Sequence, residues 1–523
     1  MKILYLKNYR NGPATNSSST HSVIFKNKDD MFKDLNVFEE NFYERYTDTI
    51  AVSKSAKIKY IAANIMHNKS LYDIMCLIYP EMNQYRDLIK KALTEDEHYP
   101  YSFGMYDRGN LFFKNSLEAS IDYLRNIIEN EDIIIVGGSD EEEFVYDTVE
   151  GHKEIPEPGY LNKFFGAVKN GNYWVGYKFG RKLRFSTNKD ICIPEYPELI
   201  DLNITDMCEH NCPFCYKGSN MEGKHADLDN IKMLIGKINR EFDYGDPVKF
   251  KKIEFAIGGG NVLLYPQLDE LFKYLSDAGH LINVTINAKD YHKLFDDDKI
   301  KNIFDQYVNA VGVSVSSVQD AEEIMKYRVW APERYKKSEI FYGLEPTCVI
   351  HLIPEMLGVY RTTEIIKILN GKSNRNKDGV FLYDEKERNY FYNFLFLGYK
   401  TNGRGESQSY TTFSNKELTE LFNEAGVISI DTCFGNRYIN WINNNFGEVD
   451  KTLTLTEGEY SMYIDAVSLK AYKSSYQLDK PYNLAGPIMN GVDSHSIKPY
   501  WDVITAFGKI RRDNGLPIYN EWE

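Results

Sequence analysis

Four stretches of this chain alternate an apolar residue with a polar one, in a region whose rhythm otherwise points to parallel strands joined by helices. Ile200, Leu202 and Ile204 alternate with Asp201, Asn203 and Thr205, and Ile282, Val284 and Ile286 with Asn283, Thr285 and Asn287. Val311, Val313 and Val315 alternate with Gly312, Ser314 and Ser316, and Ile428 and Ile430 with Ser429 and Asp431. Parallel strands covered by helices on both faces ordinarily read as unbroken apolar runs. Successive side chains of a strand point to opposite faces, so one face here meets helices and the other lines something polar. A closed, packed barrel has no use for such a face. A barrel left open around a polar cofactor and substrate does.

The surrounding pattern supplies the barrel. From about Pro197 the chain reads as strand Leu199 to Thr205, helix Asp229 to Phe242, strand Ile253 to Ile257 and helix Leu268 to Ala278. Strands Ile282 to Asn287, Val311 to Ser316, Thr347 to Leu352, Phe394 to Tyr399 and Ile428 to Asp431 follow. Strands alternating with helices predict a parallel sheet with crossover helices, so the fold class is α/β, a partial, open (β/α)6 barrel of about six strands over residues 195–435. Before it lie an N-terminal α+β domain over 1–150 and a linker with a hairpin over 151–194; a small C-terminal extension covers 436–523. In the N-terminal domain, helices are expected around Ile61 to Ile78 and Ser116 to Ile127. Ile133 to Gly138 reads as a buried strand and turn, since a lone Gly-Gly lacks the fingerprint and helix context of a nucleotide loop. Thr148 to Gly159 reads as a polar linker, Phe164 to Phe185 as a small hairpin, and Tyr460 to Tyr476 as another.

At 523 residues the chain is too long for one ordinary core. A net charge of −14 argues against general nucleic-acid binding, which gains from clustered Lys and Arg. No run approaches the roughly 18 apolar residues of a membrane span, and the apolar run Ile3 to Leu6 is too short for a signal-peptide core. With seven cysteines in so long a chain there is no disulfide framework, and the expected location is cytoplasmic.

Three of those cysteines are concentrated. Cys208, Cys212 and Cys215 stand in the spacing C-x3-C-x2-C directly after the first barrel strand. A short loop can bring three such thiolates to one soft metal centre, and thiolate clusters select zinc, copper(I) or iron-sulfur. Iron-sulfur clusters usually take four cysteines, so three leave one iron free for an outside ligand. A structural zinc site with His210 or a distant residue as fourth ligand is the alternative.

The spacing, with the aromatic Phe214 just before the last cysteine, resembles the signature of the radical S-adenosylmethionine (SAM) enzymes. The resemblance implies that Cys208, Cys212 and Cys215 hold a [4Fe-4S] cluster whose fourth iron is chelated by SAM. It implies that reduction cleaves SAM and that the resulting 5'-deoxyadenosyl radical takes a hydrogen atom from a substrate. It places Phe214 and Tyr216 beside the adenine, and the run Gly258-Gly259-Gly260-Asn261 where a Gly-Gly-Glu-Pro-like motif binds the SAM amino group. Asn261 stands where that motif has a carboxylate; it and nearby backbone carbonyls can still accept those hydrogen bonds, so it is the charged side-chain role that is open here. Asn287, Ser314 and Ser316 fall where the family bonds the ribose and the methionyl carboxylate, and His351 on the fifth strand is a substrate or adenosyl contact. As bare sequence, Asn287, Ser314 and Ser316 also suit a wet lumen, His351 a satisfied barrel histidine, and Phe214 and Tyr216 loop packing, while the glycines suit either a backbone that approaches a ligand closely or a simple strand-to-helix turn.

The tail after Cys433 resembles the SPASM extension of peptide- and protein-modifying members, but no cysteine follows Cys433, and Ser474 or Ser475 stands about where one is expected. Cys76, Cys192 and Cys348 are scattered, so one cluster is expected. The resemblance implies a peptide or protein substrate and an external flavodoxin- or ferredoxin-like electron donor, with the N-terminal region as a recognition module. A small metabolite or nucleotide substrate is the runner-up, and a non-catalytic zinc-binding protein the alternative of another class.

Overall fold

The fold comes from a computed structural model describing residues 2–11, 21–24, 49–51, 54–65, 69–84, 116–130, 133–137, 167–178, 181–186, 192–238, 251–332, 347–370, 392–425, 428–446, 454–484 and 503–519. The chain divides into two compact units. The first holds residues 1–7, 27–160 and 185–191. Strand β1 (Lys2–Asn11) runs antiparallel to β4 (Ile133–Gly137) with Lys2 opposite Val136, and β4 runs antiparallel to β3 (Thr49–Ala51). Helices α1 (Lys54–Ile65), α2 (Lys69–Ile78) and α3 (Leu117–Glu129) pack together through Ile58, Ile61, Met75, Leu124 and Ile127. The Ser116 hydroxyl caps α3 by accepting from the Ala119 amide at 3.1 Å. The single helix expected around Ile61 to Ile78 is two helices, and the polar run His67-Asn68-Lys69 interrupts the apolar spacing between them. The linker expected over Thr148 to Gly159 lies outside the described residues.

The second unit carries the barrel. It opens with a hairpin, β5 (Val168–Asn170) and β6 (Tyr173–Lys178), as the alternation anticipates; β7 (Arg181–Ser186) follows. Glu198, just before the first barrel strand, is fully buried. It accepts from Arg184 Nε at 2.7 Å and Nη2 at 2.9 Å, pairs with Lys182 at 2.7 Å, and accepts from the Tyr173 hydroxyl. Burial alone raises its pKa, but Arg184 and Lys182 outweigh burial and hold it at about 2.

The main sheet has the order β17-β16-β15-β8-β9-β10-β11-β12-β13-β14-β2. The expected strands are all present and parallel: β8 (Leu199–Thr205), β9 (Glu254–Gly259), β10 (Leu281–Asn287), β11 (Ala310–Ser314), β12 (Cys348–Leu352), β13 (Tyr392–Phe396) and β14 (Ile428–Asp431). Among the described residues β8 and β14 do not pair with each other. Parallel to β8 lies β15 (Ser461–Asp465), extended by the antiparallel β16 (Lys470–Tyr472) and β17 (Tyr482–Asn483). Against β14 lies the antiparallel β2 (His21–Ile24).

The parity of the strands is realised on two faces. Ile200, Leu202, Ile204, Phe255, Ile257, Val284, Ile286, Val311, Val313, Ile350, Phe394 and Ile430 belong to one buried core. It also takes in residues of α4 (Leu228–Ile238), α5 (Leu268–Asp277), α6 (Lys293–Asp296) and α7 (Asp298–Tyr307). The same core includes residues of α8 (Val318–Ile324), α9 (Pro354–Asn370), α10 (Asn415–Ala425), α11 (Thr432–Phe446) and α12 (Val503–Asp513). Each such side chain contributes roughly 1.5–3 kcal/mol of burial, and the sum holds the sheet in place. The opposite face carries Asp201, Asn203, Thr205, Asn283 and Ser429, all buried. On β12 and β13 it turns apolar, where Val349, Leu395 and Leu397 form a separate small cluster with Ile353 packed against it. Among the described residues no helix is long and apolar enough to cross a membrane.

Candidate active site

The end of β8 becomes the cysteine loop, and three sets of contacts shape it. Its own turns close with the Cys215 amide on the Cys212 carbonyl at 3.2 Å, the Gly218 amide on the Cys215 carbonyl at 3.1 Å and the Cys208 amide on the Asn220 carbonyl at 2.9 Å. The glycine run after β9 supplies the second set: the Gly260 amide donates to the Thr205 carbonyl at 2.6 Å and the Asn261 amide to the Met207 carbonyl at 2.7 Å. Such proximity leaves no room for side chains. A Cβ on Gly259, whose φ is +123°, would fall 1.9 Å from Asn203 Oδ1, and one on Gly260 would fall 2.1 Å from the Met207 carbonyl oxygen. The third set comes from Arg404, in the turn after β13. Its Nε donates to the Cys212 carbonyl and its Nη1 to the Ser219 carbonyl, both at 2.9 Å, while its amide donates to the Cys215 carbonyl at 3.0 Å.

All thirteen residues singled out from sequence line one cavity: Cys208, Cys212, Cys215, Phe214, Tyr216, Gly258, Gly259, Gly260, Asn261, Asn287, Ser314, Ser316 and His351. The details add tasks. Asn287 directs its amide Nδ2 towards Cys212 Sγ at 4.0 Å, while its Oδ1 accepts from the Lys289 amide. The Ser316 hydroxyl donates to Asp320 at 2.8 Å. Tyr216 donates to the Ser475 hydroxyl at 3.3 Å. His351 is fully buried, and burial, with Lys400 adding, lowers its pKa to about 3, so its imidazole is neutral.

Asn261 is held differently from the expectation of a free acceptor. Its Oδ1 accepts from the Leu263 amide at 3.0 Å, and its Nδ2 donates to Glu209 at 2.9 Å and Asp290 at 3.0 Å. The side chain therefore ties the cysteine loop to the turn after β10, and the backbone carbonyls of the glycine run remain as acceptors. His210 points its Nε2 at Asp290 Oδ2, 2.5 Å away. Among the described residues Glu209, His210 and Asp290 form a group with ligand atoms within 4.8 Å of one another. That group is already bonded internally and to Lys293 at 2.6 Å.

Sequence reasoning missed the far wall. Ile353, Met356 and Leu397 make it apolar, and Tyr399 and Lys400 complete it. Lys400 is buried with its Nζ 4.7 Å from the Tyr216 ring centre and 4.9 Å from that of Tyr476, and 3.9 Å from Asp431. A lysine directly after an apolar strand run was the available signal. Arg404 had one too, lying between Gly403 and Gly405. Asp201, on the polar face of β8, is fully buried; burial raises its carboxyl to about 7 against the pull of Lys400 and Lys217.

The donor set suits an iron-sulfur cluster. Three partly buried thiols share one cavity, and no fourth cysteine lines it. Burial pushes the Cys208 and Cys212 thiols up, and a bound metal would draw them to the thiolate form.

An open parallel sheet with three thiols, a glycine run and a polar wall at one mouth defines a protein that holds a metal-sulfur cofactor beside an organic one. Residues 202–338 match the family model of the Radical SAM superfamily. Residues 202–338 thus form a radical SAM domain, and the enzymes of that superfamily use a [4Fe-4S] cluster and SAM as cofactors. No curated protein sequence matches it. Similar solved structures include Streptococcus suis SuiB bound to S-adenosylmethionine, at 10% identity over 90% of this chain and 85% of that one, TM-score 0.33. SuiB bound to the precursor peptide SuiA is 12% identical over 54% of this chain, TM-score 0.32, and the match spans 60% of that chain. Native anSMEcpe with bound AdoMet and Cp18Cys peptide is 12% identical over 54% of this chain and 75% of that one, TM-score 0.31.

Proposed function

We propose that this enzyme modifies a peptide or protein, abstracting hydrogen from a side chain seated against Ile353, Met356 and Leu397. Cys208, Cys212 and Cys215 hold the cluster, and the glycine carbonyls with Asn287, Ser314 and Ser316 receive SAM. When bound, the two cofactors supply a 5'-deoxyadenosyl radical that takes a hydrogen atom from the substrate. The residues of the chain do the rest. Arg404 and Asn261 fix the cysteine loop, the neutral His351 offers a hydrogen bond without charge, and the buried walls keep water from the radical.

The observation that carries the peptide reading is the division of the lumen. Its far wall is apolar, and Lys400, the one lysine among the described lining residues, is engaged by two tyrosine rings and Asp431. Such a wall suits an aliphatic or aromatic side chain, whereas a nucleotide phosphate would need accessible cations. The residue 1–150 region is proposed as the recognition module, the SPASM-like hairpin of β15 and β16 as cover for the mouth, and a flavodoxin- or ferredoxin-like protein as electron donor.

The test is anaerobic reconstitution with iron and sulfide, then dithionite and SAM, with 5'-deoxyadenosine followed by chromatography. Wild type is expected to form it and Cys212→Ala is not. Peptides presenting Leu, Ile or Tyr should raise the rate several-fold over the substrate-free level. A rise with nucleotides and none with any peptide would move the substrate to the small-molecule class.

A further inference from the structure

The stretch Tyr216 to Asn220 is a wall with a cavity on each side. One is the lumen; the other, of about 270 Å³, lies between this stretch and the β15–β16 hairpin. Two carboxylates stand on the second cavity's surface. The amide Nδ2 of Asn203 donates to both, to Asp206 at 2.9 Å and to Asp465 at 2.8 Å, and so fixes their spacing. Tyr463 and Tyr472 present rings with centres 6.0 Å apart. A lysine already samples this chemistry: Lys217 Nζ lies 2.5 Å from the Tyr463 hydroxyl, 5.2 Å from the centre of its ring and 3.5 Å from Asp206.

Two buried groups remain unsatisfied there. The Ser219 hydroxyl, 4% exposed, lines this cavity as well as the lumen and has no hydrogen-bond partner among the described residues. Beneath the floor, Asp201 is fully buried, and among the described residues neither of its oxygens has a partner within hydrogen-bond distance, with the Ser475 hydroxyl, Lys400 and Lys217 lying near. Two carboxylates, Asp206 and Asp465, thus share Lys217 among the described residues lining the cavity, while Asp201 beneath is drawn by Lys400 as well as by Lys217. Aromatic faces beside fixed carboxylates hold organic cations through ring quadrupole and ion pairing together. The space also exceeds the roughly 30 Å³ share of one water several-fold.

We propose that this second cavity binds an organic cation, an alkylammonium or guanidinium group, with Asp206, Asp465, Tyr463, Tyr472 and Ser219 as its contacts and Lys217 as an internal competitor. The inference rests on this cavity alone, whatever the lumen transforms.

Calorimetric titration of the reconstituted holoenzyme under anaerobic conditions tests it, using end-blocked Gly-Arg-Gly, agmatine and end-blocked Gly-Glu-Gly as probes. At least one cation should bind tenfold or more tighter than the acidic peptide, with affinity falling as salt rises. Tyr472→Leu should weaken it several-fold. Lys217→Met should tighten it, a direction that general damage to the fold does not produce. In a redox titration the bound cation should move the cluster to a more positive potential. A tighter Gly-Arg-Gly marks a peptide side chain as the source, and a tighter agmatine marks a free amine; either supports the site. No binding of either cation, equal binding of the acidic peptide, or no tightening in Lys217→Met overturns it.

Discussion

Arg404 acts at a distance of 192 residues from Cys212, yet it holds two carbonyls of the cysteine loop through its side chain and a third through its amide. Removing the guanidinium leaves the Cys212 and Ser219 carbonyls short of a donor, at about 1–3 kcal/mol each where water cannot replace it. Arg404→Ala is expected to keep its far-UV circular dichroism but to lose iron to a chelator at least tenfold faster than wild type, read from the visible absorbance of the reconstituted cluster. Lys cannot copy the fork, so Arg404→Lys should recover only part of the retention. Asn261 shows the limit of reading a residue by alignment. Its type was legible as an acceptor, but its geometry spends the acceptor on Leu263 and turns the amide to Glu209 and Asp290.

At the level of elements, β8 and the turn after β9 form one joint. The glycines were legible as a place of close approach; what they approach, the Asn203 side chain and the Met207 carbonyl, follows from a strand pairing that no local window contains. Gly259→Ala combines an unfavourable positive φ with a contact no rotamer relieves. We expect it to lower the melting temperature by several degrees and to abolish cluster incorporation, checked by thermal unfolding and by iron content. The parity of β8, β10, β11 and β14 announced the polar lumen because alternation is a property of the strand itself. The apolar inner face at Val349, Leu395 and Leu397 was not announced, because an apolar run on β12 and β13 reads the same whether or not it faces a ligand.

Across the whole molecule the barrel encloses more acid than base. Asp201 and Glu457 are raised to about 7 and Asp431 is raised too, all by burial, with Lys400 opposing each shift. For Asp201 the folded value stands above the unfolded value of about 3.9. The folded state therefore holds more protons between those limits, and stability falls as pH rises through the window from about 4 to about 7. Asp201→Asn, which cannot ionise, should unfold at a higher temperature than wild type at pH 8, by up to about 4 kcal/mol of stability, and show no such gain at pH 4. An equal effect at both values would refute the titration. The sheet that encloses these groups is stitched from distant pieces: β2 from residues 21–24 seals one side and β15 from residues 461–465 the other. Ordering such separated segments is slow. On a ribosome that makes the chain from its N-terminus, the hairpin beside the cysteine loop is missing until β15 and β16 emerge, so the loop stays open to iron delivery until that point.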